Sequence, residues 1–300
     1  MSTPTRSRAA IVTRRAFLTA GASVLALGGA AEAVNAGLLP GRTTLYRVLG
    51  LDGPAGTIPH VGGVPVVSGS FRSAARGGIR TGWAVAAPVG AKDLPVVVAL
   101  HGYGGTHASL FGQELGLDRF LAAHLDAGGK PFAIVSVDGG DRYWHPRRDG
   151  DDPAGMVMKE LLPLVSRMGF DTGRLAFTGY SMGGYGALRF GWTLGADRVR
   201  AVSALSPALW TTAGAAASIA FDDAADYAAN TPYGRQERLT GIPVRIDCGT
   251  GDGFQTAVRT YVAGFPEAPA GGFEAGGHDM AFWRREAPAH LRFLADALHR

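Results

Sequence analysis

A serine held between glycines is the feature of this sequence that most directly suggests chemistry. Ser181 stands at the centre of a Gly-x-Ser-x-Gly motif that runs from Gly179 to Gly183. A strand is predicted at residues 174–178, and a helix is predicted at about residues 185–194. Between a strand and a helix, this motif forms a sharp turn that exposes the serine hydroxyl, and the glycines omit the Cβ atoms that would block the turn. The spacing therefore predicts that Ser181 is a nucleophile.

A nucleophilic serine needs a base for its proton and a carboxylate that orients the base. In a fold of alternating strands and helices with this turn, the acid follows the serine along the chain and the histidine follows the acid. Asp252 comes just after a strand predicted at residues 243–248, and His278 lies in a glycine-rich loop before the last helix, which is predicted at residues 286–299. Asp247 and Asp279 are the alternative acids, and the position of Asp252 beyond the strand end favours it. We therefore expect Asp252 to orient His278, which accepts the serine proton.

A second glycine-rich loop is suited to bind the oxyanion of a tetrahedral intermediate. The run His101-Gly102-Tyr103-Gly104-Gly105 follows a strand predicted at residues 95–100. We expect the backbone N–H groups of Tyr103 and Met182 to donate to the oxyanion. The alternative, a dinucleotide-binding fingerprint, requires Gly or Ala at the position of His107 and fails on spacing.

A third loop, residues 138–148, combines aromatic and basic side chains after a strand predicted at residues 132–137. Its candidates for a substrate pocket are Arg142, Tyr143, Trp144 and His145. The acidic residues that follow at positions 149, 151 and 152 could equally pair with the arginines in a structural network, and both readings stay open. The spacing of these acids does not match a calcium loop, no His-Glu-x-x-His motif occurs, and we expect neither a metal nor a cofactor.

The elements that must position these residues alternate along the chain. Short apolar runs from residue 94 onward alternate with amphipathic stretches, which predicts an α/β fold with a mostly parallel central sheet and helices on both faces. Residues 69–76 and 80–87 flank a Gly-Gly pair and predict an antiparallel hairpin at the sheet edge. We expect a single domain over residues 37–300, with residues 207–241 as a helical insertion over the active site.

The first 36 residues are typical of an export signal. Arg14 and Arg15 stand directly before an uncharged apolar run that ends near residue 31, and this pattern resembles a twin-arginine (Tat) signal. Small residues allow cleavage after Ala36 or after Ala33. The apolar run is shorter than the roughly 20 residues of a membrane span, so we expect no stable span after cleavage. The implied location is the periplasm, the cell envelope or the extracellular space.

Composition excludes several classes of function. The 300 residues are 46% hydrophobic and 18% charged, as in a folded globular protein. The formal net charge is +4, but four basic residues and one acidic residue lie in the first 36 positions. The rest of the chain is nearly neutral, so nucleic acid is not an expected partner. The single cysteine, Cys248, excludes an intrachain disulfide and a cysteine-based zinc site.

These motifs together resemble the esterase family of α/β-hydrolases that includes S-formylglutathione hydrolases, feruloyl esterases and mycobacterial mycolyltransferases. The resemblance spans residues 69–294 and rests on the loops at residues 101–105, 179–188 and 277–279. It implies an α/β-hydrolase fold and carries the family's nucleophile, acid and base over to Ser181, Asp252 and His278.

The resemblance makes an exported serine esterase, acting on a small-molecule, lipid or carbohydrate ester, the leading hypothesis. An acyltransferase that passes the acyl group to a sugar or lipid alcohol is the first alternative. A binding protein without activity on the same fold is the second. The family does not determine the substrate.

Overall fold

Strands and helices alternate through residues 41–300, the part of the chain that the computed structural model describes. The predicted export signal, residues 1–36, lies outside the described residues. The strands are β1 (Val66–Ser73), β2 (Ile79–Ala86), β3 (Pro95–Leu100), β4 (Ala133–Val137), β5 (Asp171–Tyr180), β6 (Val199–Leu205), β7 (Val244–Gly249) and β8 (Ala270–Glu274). The α-helices are α1 (Arg42–Val48), α2 (Leu117–Asp126), α3 (Pro153–Met156), α4 (Leu162–Arg167), α5 (Met182–Leu194), α6 (Ala224–Asn230), α7 (Gln255–Ala263) and α8 (Met280–Leu298). A π-helical turn, Val157–Leu161, joins α3 to α4.

The eight strands form one sheet in the order β1-β2-β4-β3-β5-β6-β7-β8. β2 is antiparallel to both β1 and β4, whereas all pairs from β4 through β8 are parallel. The carboxyl ends of six strands therefore meet at one edge, where ligands bind in folds of this type. The predicted mostly parallel sheet and the antiparallel hairpin at its edge are both confirmed.

Helices cover both faces of the sheet, as predicted. All six side chains of β3 are buried. Val96, Val98 and Leu100 belong to the core layer under α4, α5 and α7, whereas Val97 and Ala99 belong to the layer under α2 and α8. An uninterrupted apolar run of this kind is the pattern of a parallel strand that is buried on both sides.

Two elements differ from the prediction near the carboxyl terminus. Strand β8 has the sequence Ala-Gly-Gly-Phe-Glu, without a β-branched residue, and forms through its backbone pairing with β7 at the sheet edge. Helix α8 begins at Met280, six residues before the predicted start at residue 286. Asp279 begins the helix because its side chain accepts the backbone N–H of Phe282 at 3.1 Å.

The connection between β6 and β7 contains short helices within residues 207–241, and the position of this insertion over the active site stays a prediction. These helices are the 3₁₀ helix Ala213–Ala215, helix α6 and the 3₁₀ helix Gln236–Leu239. Among the helices of residues 41–300, none has both the length and the apolar character that a membrane crossing requires.

Candidate active site

Ser181 lies at the turn between β5 and α5 in a strained backbone conformation. Its φ is 56° and its ψ is −119°, a region that non-glycine residues rarely occupy and that costs about 1–3 kcal/mol. The backbone N–H of Ser181 donates to the carbonyl oxygen of Leu205 at 2.9 Å, and its carbonyl accepts the N–H of Ala208 at 3.0 Å. These bonds to the end of the neighbouring strand β6 hold the serine in its strained conformation.

The glycines on either side of Ser181 permit a close approach of β3. A Cβ atom on Gly183 would lie 1.9 Å from the carbonyl oxygen of Leu100, and a Cβ on Gly179 would lie 2.5 Å from the carbonyl carbon of Gly183. No side chain fits at either position without a backbone shift. The sequence motif therefore reflects a steric requirement of the turn.

The structure brings Ser181, His278 and Asp252 into one chain of hydrogen bonds. His278 Nε2 lies 2.9 Å from Ser181 Oγ, and His278 Nδ1 lies 2.8 Å from Asp252 Oδ2. Because a carboxylate only accepts hydrogen bonds, Nδ1 carries the proton and Nε2 is free to accept the serine proton. Asp252 is fully buried, and its Oδ1 accepts the backbone N–H of Phe254 at 2.7 Å. This is the geometry of a nucleophile, a base and an orienting acid.

The two alternative acids face other groups. The Asp247 carboxylate lies 2.8 Å from Nε2 of the buried His290 and 2.7 Å from Nε of Arg245. Asp279 accepts the first-turn N–H of α8 and a hydrogen bond from Arg47 at 2.9 Å. Neither carboxylate bonds to the ring of His278, so the tertiary structure selects Asp252 among the three.

The buried thiol of Cys248 lies beside this acid. Burial raises the pKa of Cys248 well above its usual value, and the negative charge of Asp252 raises it further. The thiol, which is buried in β7, therefore stays protonated and neutral.

An open cavity of about 520 Å³ lies beside Ser181 and His278. Tyr103 is among its lining residues, and Met182 directly follows the serine at the first position of α5. Within residues 41–300, the backbone N–H groups of Tyr103 and Met182 have no hydrogen-bond acceptor. Both groups are therefore available to a substrate oxygen, although their role in the reaction stays a prediction.

His101 fixes the loop that contains Tyr103. Its Nδ1 donates to the carbonyl oxygen of Gly102 at 2.8 Å, and its Nε2 accepts the backbone N–H of Gly139 at 3.0 Å. Burial lowers the pKa of His101, so the ring stays neutral and keeps the lone pair that this second bond requires. The loop at residues 101–105 is thereby tied to the end of β4.

The four residues predicted to line a substrate pocket are not among the lining residues of the cavity at Ser181. Tyr143, Trp144 and His145 are buried, and the indole N–H of Trp144 donates to the carbonyl of His101 at 3.3 Å. Arg142 forms ion pairs with Asp149 and Asp151. These contacts match the alternative of a structural network, and they place the segment against the loop at residues 101–105.

His145 connects this network to the insertion between β6 and β7. Its Nε2 lies 3.2 Å from the carboxylate of Asp226 on α6, and its ring stacks on Phe221 at 5.3 Å. Burial lowers the pKa of His145 to about 4, so the ring is neutral at pH 7. The neighbouring Arg147 donates to Asp222, which adds a second link between the two segments.

Several residues of the cavity wall were not predicted. They are Thr106, Ser109, Glu114, Met280 and Trp283. The Trp283 ring lies 5.1 Å from the His278 ring and stacks on Tyr180 at 4.5 Å. Trp283 could have been found from its place five residues after His278, on the first turn of α8. Glu114 gave no local signal, because it lies in an irregular loop that only tertiary contacts bring to the site.

Comparison with protein-family models gives one match. The family model is described as "Putative esterase" and matches residues 80–294, more than two thirds of the chain. This region contains all three members of the hydrogen-bonded chain. No curated protein sequence matches significantly.

Solved structures share the fold at low sequence identity. The S-formylglutathione hydrolase of Agrobacterium tumefaciens superposes with a TM-score of 0.66 and 19% identity, covering 81% of this chain and 98% of that chain. A ferulic acid esterase of Anaeromyces mucronatus gives a TM-score of 0.64 and 19% identity, covering 81% and 94%. A fluorophosphonate-binding serine hydrolase of Staphylococcus aureus gives 0.60 and 17%, covering 78% and 99%. At these identities the similarity shows the fold.

Proposed function

The chain belongs to the esterase family and is a hydrolase of carboxylic ester bonds, and from this premise we propose that Ser181 is its nucleophile and that it works through an acyl-enzyme. The observation that supports this proposal is the chain of two hydrogen bonds from Asp252 through His278 to Ser181. A serine hydroxyl is activated when a base within hydrogen-bond distance can take its proton.

In the first half of the proposed reaction, Ser181 Oγ attacks the carbonyl carbon of the ester while His278 Nε2 takes the hydroxyl proton. The carbonyl oxygen becomes an oxyanion, which the N–H groups of Tyr103 and Met182 stabilise. The imidazolium is stabilised by the buried Asp252. Cleavage of the ester bond releases the alcohol, which receives its proton from His278, and the acyl group remains on Ser181.

In the second half, a water molecule attacks the acyl carbon and gives its proton to His278. Collapse of the second tetrahedral intermediate releases the carboxylic acid and returns the proton to Ser181 Oγ. The cavity beside Ser181 is open, so water reaches the acyl group without a large movement of the chain. Hydrolysis is therefore the proposed outcome.

The charge of the cavity wall affects which charge the substrate can carry. Glu114 is the one acidic residue among the lining residues, and no lysine or arginine is among them. Within the described residues, the Glu114 side chain forms no ion pair. Arg284 donates to the backbone carbonyl of Glu114 at 2.7 Å and not to its carboxylate. A carboxylate in the cavity wall repels an anionic ligand, so we propose that the preferred ester is uncharged near the reacting carbonyl.

The proposed location is outside the cytoplasmic membrane, in one domain that follows the export signal. This part of the proposal rests on the paired arginines and the short apolar run in residues 1–36. Expression of the full chain in a bacterium with and without twin-arginine transport, followed by fractionation, tests it. Equal amounts of exported protein in the two strains would contradict it.

A fluorophosphonate probe tests the proposed nucleophile. The wild-type protein should be labelled on Ser181 and should hydrolyse 4-nitrophenyl acetate, and Ser181→Ala should lose both properties. Ser109→Ala is the matched control, because Ser109 lines the same cavity and should leave labelling intact. Failure of the wild-type protein to react with either reagent would refute the proposal.

A further inference from the structure

Residues 41–56, which we term the N-terminal strap, precede the first strand and lie outside the residues that the family model matches. The strap begins with helix α1, none of whose side chains is fully buried. It therefore adds little to the hydrophobic core. It nevertheless makes polar contacts with both loops that carry the acid and the base.

The first set of contacts is with the loop that carries Asp252. Thr43 Oγ1 donates to the carbonyl oxygen of Gly251 at 3.0 Å. Tyr46 packs directly over Gly251, where an added Cβ atom would lie 2.8 Å from the Tyr46 side chain. Gly251 is the residue before Asp252, so these contacts fix the backbone next to the acid.

The second set of contacts is with the loop that carries His278. Arg47 donates to Asp279 Oδ2 at 2.9 Å, and Asp279 is the residue after His278. On the other side of His278, an added Cβ on Gly277 would lie 2.9 Å from the methyl group of Thr43. The strap thus contacts the neighbours of the histidine in both directions along the chain.

The rest of the strap is attached to the start of α8. The N–H of Gly56 donates to the carbonyl oxygen of Ala281 at 2.8 Å, and Arg285 donates to the carbonyl oxygen of Pro54 at 2.8 Å. Beneath the strap the two loops bond to each other, because the N–H of Gly251 donates to the carbonyl oxygen of Gly276 at 2.8 Å. A continuous set of contacts therefore joins the strap, the acid loop and the base loop.

We infer that the N-terminal strap is a positioning element that sets the distance between His278 and Asp252, with Arg47 and Thr43 as its positioning residues. This inference rests on the proposed function of the same site. The hydrogen bond from Nδ1 to the acid aligns the imidazole with Ser181, and displacements of about 1 Å in such sites cost up to about 100-fold in rate. The Arg47 side chain is 62% exposed. Exposed ion pairs contribute little to stability, so loss of the pair should affect turnover more than folding.

The test is the double variant Arg47→Ala with Thr43→Val in the full chain. Thr43→Val keeps the shape of the side chain and removes the hydroxyl that bonds to Gly251. We expect kcat for 4-nitrophenyl acetate to fall about tenfold, KM to stay within about twofold, and the thermal midpoint to stay within a few degrees. Arg47→Lys should lose less than Arg47→Ala, because lysine keeps the charge opposite Asp279.

Arg72→Ala is the matched control, since Arg72 is also exposed and donates to a backbone carbonyl, in the hairpin far from the site. An unchanged kcat in the double variant would overturn the inference while leaving the proposed function intact. A fall in kcat that only follows the unfolded fraction would also overturn it. If the wild-type protein hydrolyses no ester, the proposed function itself fails.

Discussion

Replacing Asp252 by asparagine should abolish most of the activity while leaving the fold in place. Asp252 accepts two hydrogen bonds, from His278 Nδ1 at 2.8 Å and from the backbone N–H of Phe254 at 2.7 Å. The two donors face different oxygens, Oδ2 and Oδ1, so the single oxygen of an asparagine in the same place can accept only one of them. If the amide oxygen faces Phe254, the amide nitrogen faces Nδ1, which must then give up its proton. The proton moves to Nε2, and the base can no longer accept the proton of Ser181.

The size of the fall in kcat depends on which of two orientations the asparagine side chain adopts. The orientation described above gives the wrong tautomer, and a change of this kind lowers kcat by about 10⁴-fold, or about 5–6 kcal/mol of transition-state stabilisation. The reverse orientation keeps the tautomer but turns the amide N–H₂ toward the N–H of Phe254, which then loses its acceptor at a cost of about 1–3 kcal/mol. The first orientation is therefore favoured, and we expect a fall in kcat of about 10³–10⁴-fold.

The assay is single-turnover and steady-state hydrolysis of 4-nitrophenyl acetate, with the rate of fluorophosphonate labelling measured in parallel. Asp279→Asn is the matched control, because Asp279 adjoins His278 but bonds to Arg47 and to the first turn of α8. This control should lose no more than about tenfold in kcat, as expected from its link to the strap. A loss below tenfold in Asp252→Asn, or an equal loss in the two variants, would refute the assignment of the acid.

Three further predictions concern the cavity wall, the turn and a buried histidine. At low salt, Glu114→Gln should raise kcat/KM for the anionic ester 4-nitrophenyl hemisuccinate about threefold to fivefold relative to the neutral butyrate ester. Added salt should reduce this gain. An equal change for both esters would contradict the proposed repulsion. Gly183→Ala should lower the free energy of unfolding by about 2–3 kcal/mol in urea titrations, because the new Cβ meets the carbonyl of Leu100 at 1.9 Å. Gly214→Ala, with no atom within 4 Å of its Cβ, should have no effect, so equal stabilities would count against the steric argument. Burial lowers the pKa of His145 from 6.5 to about 4, so the unfolded chain takes up the proton first and stability should fall by about 3 kcal/mol as the pH drops through this range. His145→Gln should reduce this dependence of stability on pH in unfolding experiments at pH 7, 5.5 and 4.5. An unchanged dependence would exclude His145 as its source.

The sequence by itself was sufficient to predict the class of fold and the strand ends near which Ser181 and Asp252 lie. The turn at Ser181 could be recognised because its motif is short, although the atoms that exclude a side chain at Gly183 include the carbonyl of Leu100 on β3. Apolar runs such as β3 mark strands that are buried on both faces. Because parallel strands end at the same edge of the sheet, residues that follow strands β5 and β7 were expected to converge there with His278.

For the segment at residues 142–145, position along the chain did not predict the direction of the side chains. Its position after β4 correctly placed it near the active-site edge, but the side chains of Trp144 and His145 turn inward and pack on α5 and the insertion. Position along a strand determines the edge at which a residue lies. It does not determine whether the side chain faces solvent or the core, which depends on the elements packed against it.

The sequence thus determined most of the strands, the mostly parallel direction of the sheet and the residue types at the ends of the strands. Only the tertiary structure decided which of three acids meets His278, that Glu114 faces the cavity, and that the N-terminal strap reaches the site. The bond between Arg47 and Asp279 joins residues 232 positions apart. Contacts between residues so far apart in sequence depend on the packing of the whole chain, so local sequence spacing does not predict them.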